Sequence, residues 1–287
     1  MKNKKSAYLY LLITFFAWGS LYVVSKFVLG KVPVFTVLFL RYFIAVIVLL
    51  IVNRKSNSNK IEHKDLKYVL LVGFVGYFIS VGAQLLGIKL SNASTASLVN
   101  SMNPIAIMFF AAIVLKEKFT LKKFVCVIMA VTGGCIILGN VKGGQTLGIL
   151  FSVISVLLWS FVSVTVRRIT QKYDALTVTT YSMVIAAMCT LPAAVCEELV
   201  TTNVHFDFAA VIALLYMGIV CTALAYVLWN KSLSILEAGM CSMFYPVQPF
   251  VSALLGMIFL SEKITINFVI GAIFIIVGVL FSLSKNN

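Results

Sequence analysis

Two stretches of the chain carry the same signature, NPIAIMFFAAIVLKEK at residues 103–118 and QPFVSALLGMIFLSEK at residues 248–263. Each begins with an amide and a proline, and a Glu-Lys pair starts thirteen residues after the proline. The matched positions are 145 residues apart, so Pro104 corresponds to Pro249 and Glu117 to Glu262. One coincident proline would carry little weight, but an amide, a proline, an acid and a lysine in register indicate an internal repeat.

The repeat extends over most of the chain. Further matched pairs are Ala93 with Ala238 and Gly133 with Gly278 at the same offset, and Trp18 with Trp159 and Lys26 with Arg167 at an offset of 141. The small change of offset falls in predicted loops. The sequence therefore predicts two units, residues 1–142 and 143–287.

The composition places these units in a membrane. Of 287 residues, 61% are hydrophobic and 11% charged, and the mean hydropathy is +1.06. A soluble domain has too much surface to bury so much apolar area, whereas a bilayer accepts it in helices of about 20 residues. Apolar runs fall at 8–29, 34–52, 67–88, 94–115, 121–139, 148–169, 176–196, 208–230, 237–260 and 266–284. We therefore predict an all-α integral membrane protein with ten transmembrane helices.

The basic residues orient these helices. If the N-terminus is cytoplasmic, 17 of the 23 Lys and Arg residues fall on the cytoplasmic side and five on the other, as the positive-inside rule requires. This distribution explains the net charge of +14 without a nucleic-acid partner. Both termini are then inside. Because each unit has five helices, an odd number, the second unit enters the membrane from the opposite side and the repeats are inverted.

The signature pair, the Ala-Trp-Gly at 17–19 and the sequence LRYFIA at 40–45 resemble the EamA family of the drug/metabolite transporter superfamily. The resemblance covers essentially the whole chain as two tandem units. It implies ten helices, a central cavity between the halves and alternating access. Members of the superfamily export amino acids and other metabolites, and relatives carry nucleotide sugars and sugar phosphates. The motifs are specific for the class of protein and not for the substrate.

Pro104 and Pro249 fall near the middle of predicted helices four and nine. An interior proline removes a helical hydrogen bond and frees the carbonyl four residues earlier, and Pro246 frees the carbonyl of Ser242 in the same way. Interrupted helices at matching places in two halves indicate a binding site, although a kink that only improves packing is the alternative. Amides that both donate and accept suit a zwitterionic or neutral polar ligand. The candidate substrate-binding residues at the breaks are Asn100, Asn103, Tyr245 and Gln248.

Aromatic and polar side chains at mid-helix supply further candidates. Trp18 and Trp159 occupy matched positions away from the helix ends, so lining of a cavity competes with anchoring at the membrane interface. The other candidates are Tyr22, Gln84, Ser163, Tyr226 and Trp229. Gly73, Gly76 and Gly82 in predicted helix three are expected to let helices approach closely.

The basic residues in or near the predicted spans have two interpretations each. Arg41 is the ionisable residue that lies clearly within a span, and it either has a structural role or binds an anionic substrate group. Lys26 and Arg167 lie near helix ends, where they can reach the interface or serve as a gate. Glu117 and Glu262 are expected to pair with neighbouring lysines at the membrane boundary.

Several chemistries are not expected. The span centres contain no Asp or Glu, the chain has no P-loop, and His63 and His205 lack metal-ligand spacing, so we predict no metal, no cofactor and no enzymatic activity. The predicted function is secondary transport in the cell membrane, most simply export of amino acids or similar small metabolites. A multidrug or organophosphate/nucleotide-sugar carrier, an intramembrane enzyme and a sensor or scaffold are the alternatives. The expected partners are a small-molecule substrate and the lipid bilayer, and a monomer is sufficient although a dimer is possible.

Overall fold

The computed structural model describes residues 4–54, 61–114, 143–201, 206–242 and 244–283, together with residues 125, 128–129, 132–133 and 136. These residues form helices and short connections, and none of them forms a strand. The long helices are α1 (Lys4–Leu29), α2 (Val34–Asn53), α3 (His63–Leu90), α4 (Ala93–Val114), α5 (Gly143–Ile169), α6 (Ala175–Val200), α7 (Phe208–Ile235), α8 (Ala238–Leu260) and α9 (Ile266–Leu283).

Eight of these helices, α1 to α8, are long and apolar enough to cross a membrane. Their outward faces carry large apolar side chains. On α1, for example, Leu9, Leu12 and Phe16 expose 56%, 50% and 60% of their surface. Such faces would be costly in water and suit contact with lipid. The predicted fifth helix, 121–139, lies outside the described residues except for the isolated positions given above, and α9 corresponds to the predicted tenth helix.

Two helices are interrupted and two contain a π-helical segment. Helix α4 consists of Ala93–Asn100 and Asn103–Val114, and α8 consists of Ala238–Ser242 and Val247–Leu260. The π-helical segments are Val72–Ser80 in α3 and Met217–Leu224 in α7. They begin 145 positions apart, the same offset that relates the two proline signatures.

Each π-helical segment begins where another helix approaches its glycine. A Cβ atom on Gly73 of α3 would lie 2.6 Å from the carbonyl oxygen of Ser182 in α6. A Cβ atom on Gly218 of α7 would lie 2.7 Å from Cβ of Ile44 in α2. Helix α3 therefore packs against α6 as α7 packs against α2, and the close approach predicted at Gly73 is confirmed.

The core lies where α1, α5, α7 and α8 meet, and it is largely aromatic. Phe15 is fully buried, and its ring centroid lies 5.6 Å from that of Trp229 and 4.7 Å from that of Tyr245, with edge-to-face geometry in both pairs. Such pairs stabilise beyond the area they bury. This cluster holds the side chains of the site described next.

Candidate functional site

A small polar cavity lies in the middle of the helix bundle. Six helices line it, α1, α3 and α4 from the first half and α5, α7 and α8 from the second. Its lining residues are Trp18, Leu21, Ser80, Val81, Gln84, Asn100, Asn103, Ser155, Trp159, Tyr226, Tyr245 and Gln248. Every side chain in this lining is uncharged. The space open to the centre of a water-sized sphere is about 30 Å³. A water needs about 10–15 Å³ on this measure, so the cavity has room for water and for no larger solute.

The helix breaks border this cavity, and each one directly precedes the segment that contains its proline. The chain leaves the helix at Ser101 and Met102, before Pro104, and at residues 244–246, before Pro249. Each proline thus lies in the first turn of the following segment, where its missing N–H costs nothing, and not in the middle of a continuous helix. Pro104 and Pro249 lie near the middle of the spans α4 and α8, and each span is interrupted a few residues before its proline.

The carbonyls expected to be free already accept hydrogen bonds within the chain. The Asn103 Nδ2 donates to the carbonyl oxygen of Asn100 at 2.7 Å. The backbone N–H of Gln248 donates to the carbonyl of Tyr245 at 3.0 Å, and that of Tyr245 donates to the carbonyl of Ser242 at 3.1 Å. The carbonyls at the breaks therefore have hydrogen-bond partners within the chain. What the breaks contribute to the cavity is side chains.

Three aromatic rings form one wall of the cavity. The centroids of Trp18, Trp159 and Tyr226 are 5.5 to 5.7 Å apart, and each pair is close to perpendicular. The indole N–H of Trp18 donates to the carbonyl of Cys221 at 3.1 Å, and that of Trp159 donates to the hydroxyl of Tyr245 at 2.6 Å. The wall is therefore rigid, and it presents ring faces and edges to a ligand.

Four predicted site residues lie behind the lining. The Tyr22 hydroxyl accepts a hydrogen bond from Gln84 Nε2 at 2.8 Å, and Ser163 donates to the carbonyl of Trp159 at 2.8 Å. Trp229 packs on Trp18 with centroids 5.6 Å apart. Tyr22 and Trp229 thus support lining side chains, Ser163 bonds the backbone of its own helix, and none of the three lines the cavity.

Arg41, the fourth, is fully buried between α2 and α7 and does not line the cavity. Its Nε donates to the hydroxyl of Thr222 at 3.0 Å, inside the second π-helical segment, and its guanidinium lies 5.4 Å from the ring centroid of Tyr42. Its Nη1 and Nη2 have no hydrogen-bond partner.

The structure adds lining residues that the sequence did not single out, namely Leu21, Ser80, Val81 and Ser155. Ser80 donates to the carbonyl of Ser155 at 3.0 Å and so joins α3 to α5 across the wall. The sequence signal that could have identified Ser80 and Ser155 is a serine within a strongly apolar run. Serines are frequent in this chain, and most of the others lie elsewhere.

The charged residues near helix ends cap other helices. Lys26 donates to the carbonyls of Ile88 and Lys89 at 2.8 and 3.0 Å, at the C-terminal end of α3. Arg167, its counterpart in the repeat, donates to the carbonyl of Leu233 near the C-terminal end of α7. A cation there satisfies carbonyls that lack a helical partner and interacts favourably with the helix dipole. In this structure neither cation reaches the cavity.

Glu262 has the complementary role, which corrects the expectation that it pairs with a lysine. Its carboxylate accepts from the backbone N–H groups of Ala93 and Ser94 at 2.8 and 3.1 Å and from the Ser94 hydroxyl, so it caps the N-terminus of α4. Its counterpart Glu117 lies outside the described residues. Glu197 caps α2 similarly, accepting from the N–H of Val34 at 3.0 Å.

Ion pairs connect the halves at both ends of the bundle. At one end Lys172 lies 2.8 Å from Glu62 and 2.7 Å from Asp65, and these hydrogen bonds raise the pKa of Lys172. Lys172 and then Lys64 lower the pKa of Glu62. At the other end Lys31 contacts Asp207 and lowers the pKa of its carboxyl. Each pair has at least one exposed partner, so each contributes little to stability.

A second, larger cavity of about 560 Å³ lies between α8 and α9. Its lining is apolar throughout and includes the outward-facing Phe250, Leu254 and Met257, which expose 63%, 55% and 47% of their surface. A groove of this kind fits lipid chains better than a polar solute, and the small central cavity remains the candidate site.

Known proteins resemble this chain over its full length. The sequence profile of the EamA-like transporter family matches residues 5–139 and 146–284. An uncharacterized transporter of Clostridium kluyveri is 26% identical over 98% of this chain and 94% of its own length. The uncharacterized transporter YetK of Bacillus subtilis is 24% identical over 99% of this chain and 89% of its own length. A crystal structure of 19% sequence identity superimposes with a TM-score of 0.71 over 97% of this chain and 96% of that chain, a likeness of fold.

Proposed function

The chain belongs to the EamA-like transporter family and is a membrane transporter, and from this premise we propose that it is a secondary-active carrier that exports amino acids or similar small metabolites by alternating access. The observation that carries the proposal is the central cavity. Both halves of the chain line it, both helix breaks border it, and its lining is polar but uncharged. A site between two such halves can be exposed alternately to either side when the halves rock.

The uncharged lining favours a substrate without net charge. A phosphate group would require several Arg or Lys partners, and the described lining has none. A lipophilic cation would favour a carboxylate partner at membrane depth, which the described lining also lacks. Zwitterionic amino acids are therefore better supported than the organophosphate, nucleotide-sugar or multidrug alternatives.

We further propose ten helices in two inverted units, 1–142 and 143–287, in the plasma membrane, with both termini cytoplasmic. The matched family ranges, the equally spaced π-helical segments and the reciprocal packing at Gly73 and Gly218 support this arrangement. A monomer is sufficient, because the two halves complete one cavity.

The small volume of the cavity fits an occluded stage of transport. A space of about 30 Å³ admits water but no amino acid, so loading requires the walls to separate. The caps made by Lys26 and Glu262 at one end, and by Arg167 at the other, hold the helices together on both sides of the cavity. During alternating access, the caps at one end would open while those at the other end stay closed.

Counterflow in proteoliposomes tests this function. Vesicles loaded with an unlabelled neutral amino acid should accumulate the same labelled compound only when they contain the protein. Gln84→Leu, which keeps side-chain volume but removes a lining amide, should slow uptake at least about tenfold, the effect of one lost hydrogen bond of about 1.4 kcal/mol. The matched control is Leu254→Ala on the lipid-facing surface, which should leave uptake unchanged. Absence of protein-dependent counterflow for every neutral amino acid tested would contradict the proposal.

A further inference from the structure

The two amides that correspond in the repeat are held in different ways. The Asn103 Oδ1 accepts a hydrogen bond from the Ser160 hydroxyl at 2.9 Å, and its Nδ2 donates to the carbonyl of Asn100 at 2.7 Å. Gln248 is 3% exposed and also lines the cavity, but its Oε1 is buried without a hydrogen-bond partner. Asn103 thus stabilises its helix break, whereas Gln248 retains an unused acceptor.

The difference lies in the residue that faces each amide. Ser160 corresponds to Gly19 in the repeat, since each directly follows the matched tryptophan, and Ala106 corresponds to Val251. A Cβ atom on Gly19 would lie 2.6 Å from Cβ of Val251 and 3.2 Å from the carbonyl oxygen of Gln248. Helices α1 and α8 therefore approach each other too closely here for a side chain at position 19. Where Asn103 meets a serine hydroxyl, Gln248 meets a glycine that has nothing to donate.

Among the described residues that line the cavity, Gln248 is the one with a buried side-chain acceptor left unpaired. A buried acceptor without a partner costs free energy, which is recovered when a ligand supplies the donor. On the basis of the proposed function, we propose that Gln248 Oε1 accepts a hydrogen bond from the ammonium group of an amino-acid substrate. The second half thus supplies the contact that distinguishes substrates, and the matched amide of the first half is structural.

This assignment specifies the substrate class further. An ammonium group provides three N–H donors, and the carboxylate of the same molecule keeps the net charge at zero, as an uncharged lining requires. An N-trimethyl betaine carries the same charges but has no N–H to donate. Discrimination between an amino acid and its own betaine therefore isolates the proposed contact.

Tryptophan fluorescence can measure this discrimination without transport. The chain has three tryptophans, and all belong to the aromatic cluster at the cavity. Purified protein would be titrated with alanine, valine and leucine, and with the N,N,N-trimethyl betaine of each. We expect the wild type to bind the amino acid at least about tenfold more tightly than the betaine, and Gln248→Met, which is apolar and of similar volume, to lose this preference.

The outcomes separate the two proposals. If Gln248→Met keeps the wild-type preference for the amino acid over its betaine, the assignment of Gln248 is wrong while the carrier function stands. If the wild type responds to none of the amino acids, the proposed substrate class fails and the contact fails with it.

Discussion

Asn103 lies where Ala93–Asn100 ends and Asn103–Val114 begins, and both ends of its amide are engaged by the chain itself. An amide at this depth that bonds the backbone on one side and Ser160 on the other fixes the direction in which the second segment leaves the break. Gln248, at the equivalent position, makes no such contact through its Oε1. Equivalent residues in a repeat can therefore have different roles, and the residues packed around each one determine which role it has.

This difference predicts that replacing Asn103 destabilises the protein and that replacing Gln248 does not. Asn103→Leu should lower the free energy of unfolding by about 1–3 kcal/mol, because it leaves the Asn100 carbonyl without its partner and leaves the Ser160 hydroxyl only the longer bond, 3.4 Å, to the backbone carbonyl of residue 103. Gln248→Met should leave it unchanged or slightly raised, because it removes an unpaired acceptor. Thermal unfolding of both variants in the same detergent measures this. Equal losses in the two variants would show that Gln248 has a structural partner as well.

At the scale of the element, the helix positions follow directly from the apolar runs. The predicted run 34–52 is the helix Val34–Asn53, and 208–230 lies within Phe208–Ile235. The breaks were located to within a few residues, because a proline shows that a helix is interrupted but is equally acceptable in the first turn of the next segment. The π-helical segments could not be predicted, since an i→i+5 bond pattern depends on which helix packs alongside and leaves no mark in the apolar periodicity.

The π-helical segments depend on the two glycines that admit their neighbours. Gly73→Ala and Gly218→Ala should each destabilise the protein by about 1–3 kcal/mol, because the added methyl meets Ser182 in one case and Ile44 in the other at less than 3 Å. Gly239→Ala is the matched control, since a Cβ atom there has nothing within 4 Å. The measurement is the midpoint of thermal unfolding. If the control loses as much as the two packing variants, close helix approach is not the reason for these glycines.

Some residues of the cavity could be predicted from their residue type, whereas others depend on how the helices pack. Trp18, Trp159 and the two amides beside the breaks could be found from the repeat, because matched polar or aromatic residues in apolar spans are conspicuous. Ser80 and Ser155 could not, since nothing in a single sequence separates a serine that lines a cavity from one that bonds its own helix. Arg41 was conspicuous as an intramembrane charge, yet its guanidinium is directed to the π-helical segment of α7 and not to the cavity.

At the scale of the whole molecule, the connections fall into two sets at opposite ends of the bundle. One set contains Glu62, Asp65 and Lys172, and the other contains Lys26, Lys31, Asp207 and Glu262. The excess of lysine and arginine on the side of the first set predicts that this end is cytoplasmic. Alternating access requires the two ends to loosen in turn, so their orientation decides which set forms the gate that opens outward during export.

Cysteine labelling of intact cells tests this orientation. In a cysteine-free background, Lys89→Cys at the end of α3 should react with a membrane-impermeant maleimide added outside. Lys64→Cys at the start of the same helix should react only after the cells are made permeable. Both side chains are exposed, so a difference in labelling reports the side of the membrane and not burial. The reverse pattern would place the termini outside, and the set that contains Glu62, Asp65 and Lys172 would then form the outward-facing gate. Labelling of both positions from outside would mean that α3 does not cross the bilayer, and the inverted arrangement would then be untenable.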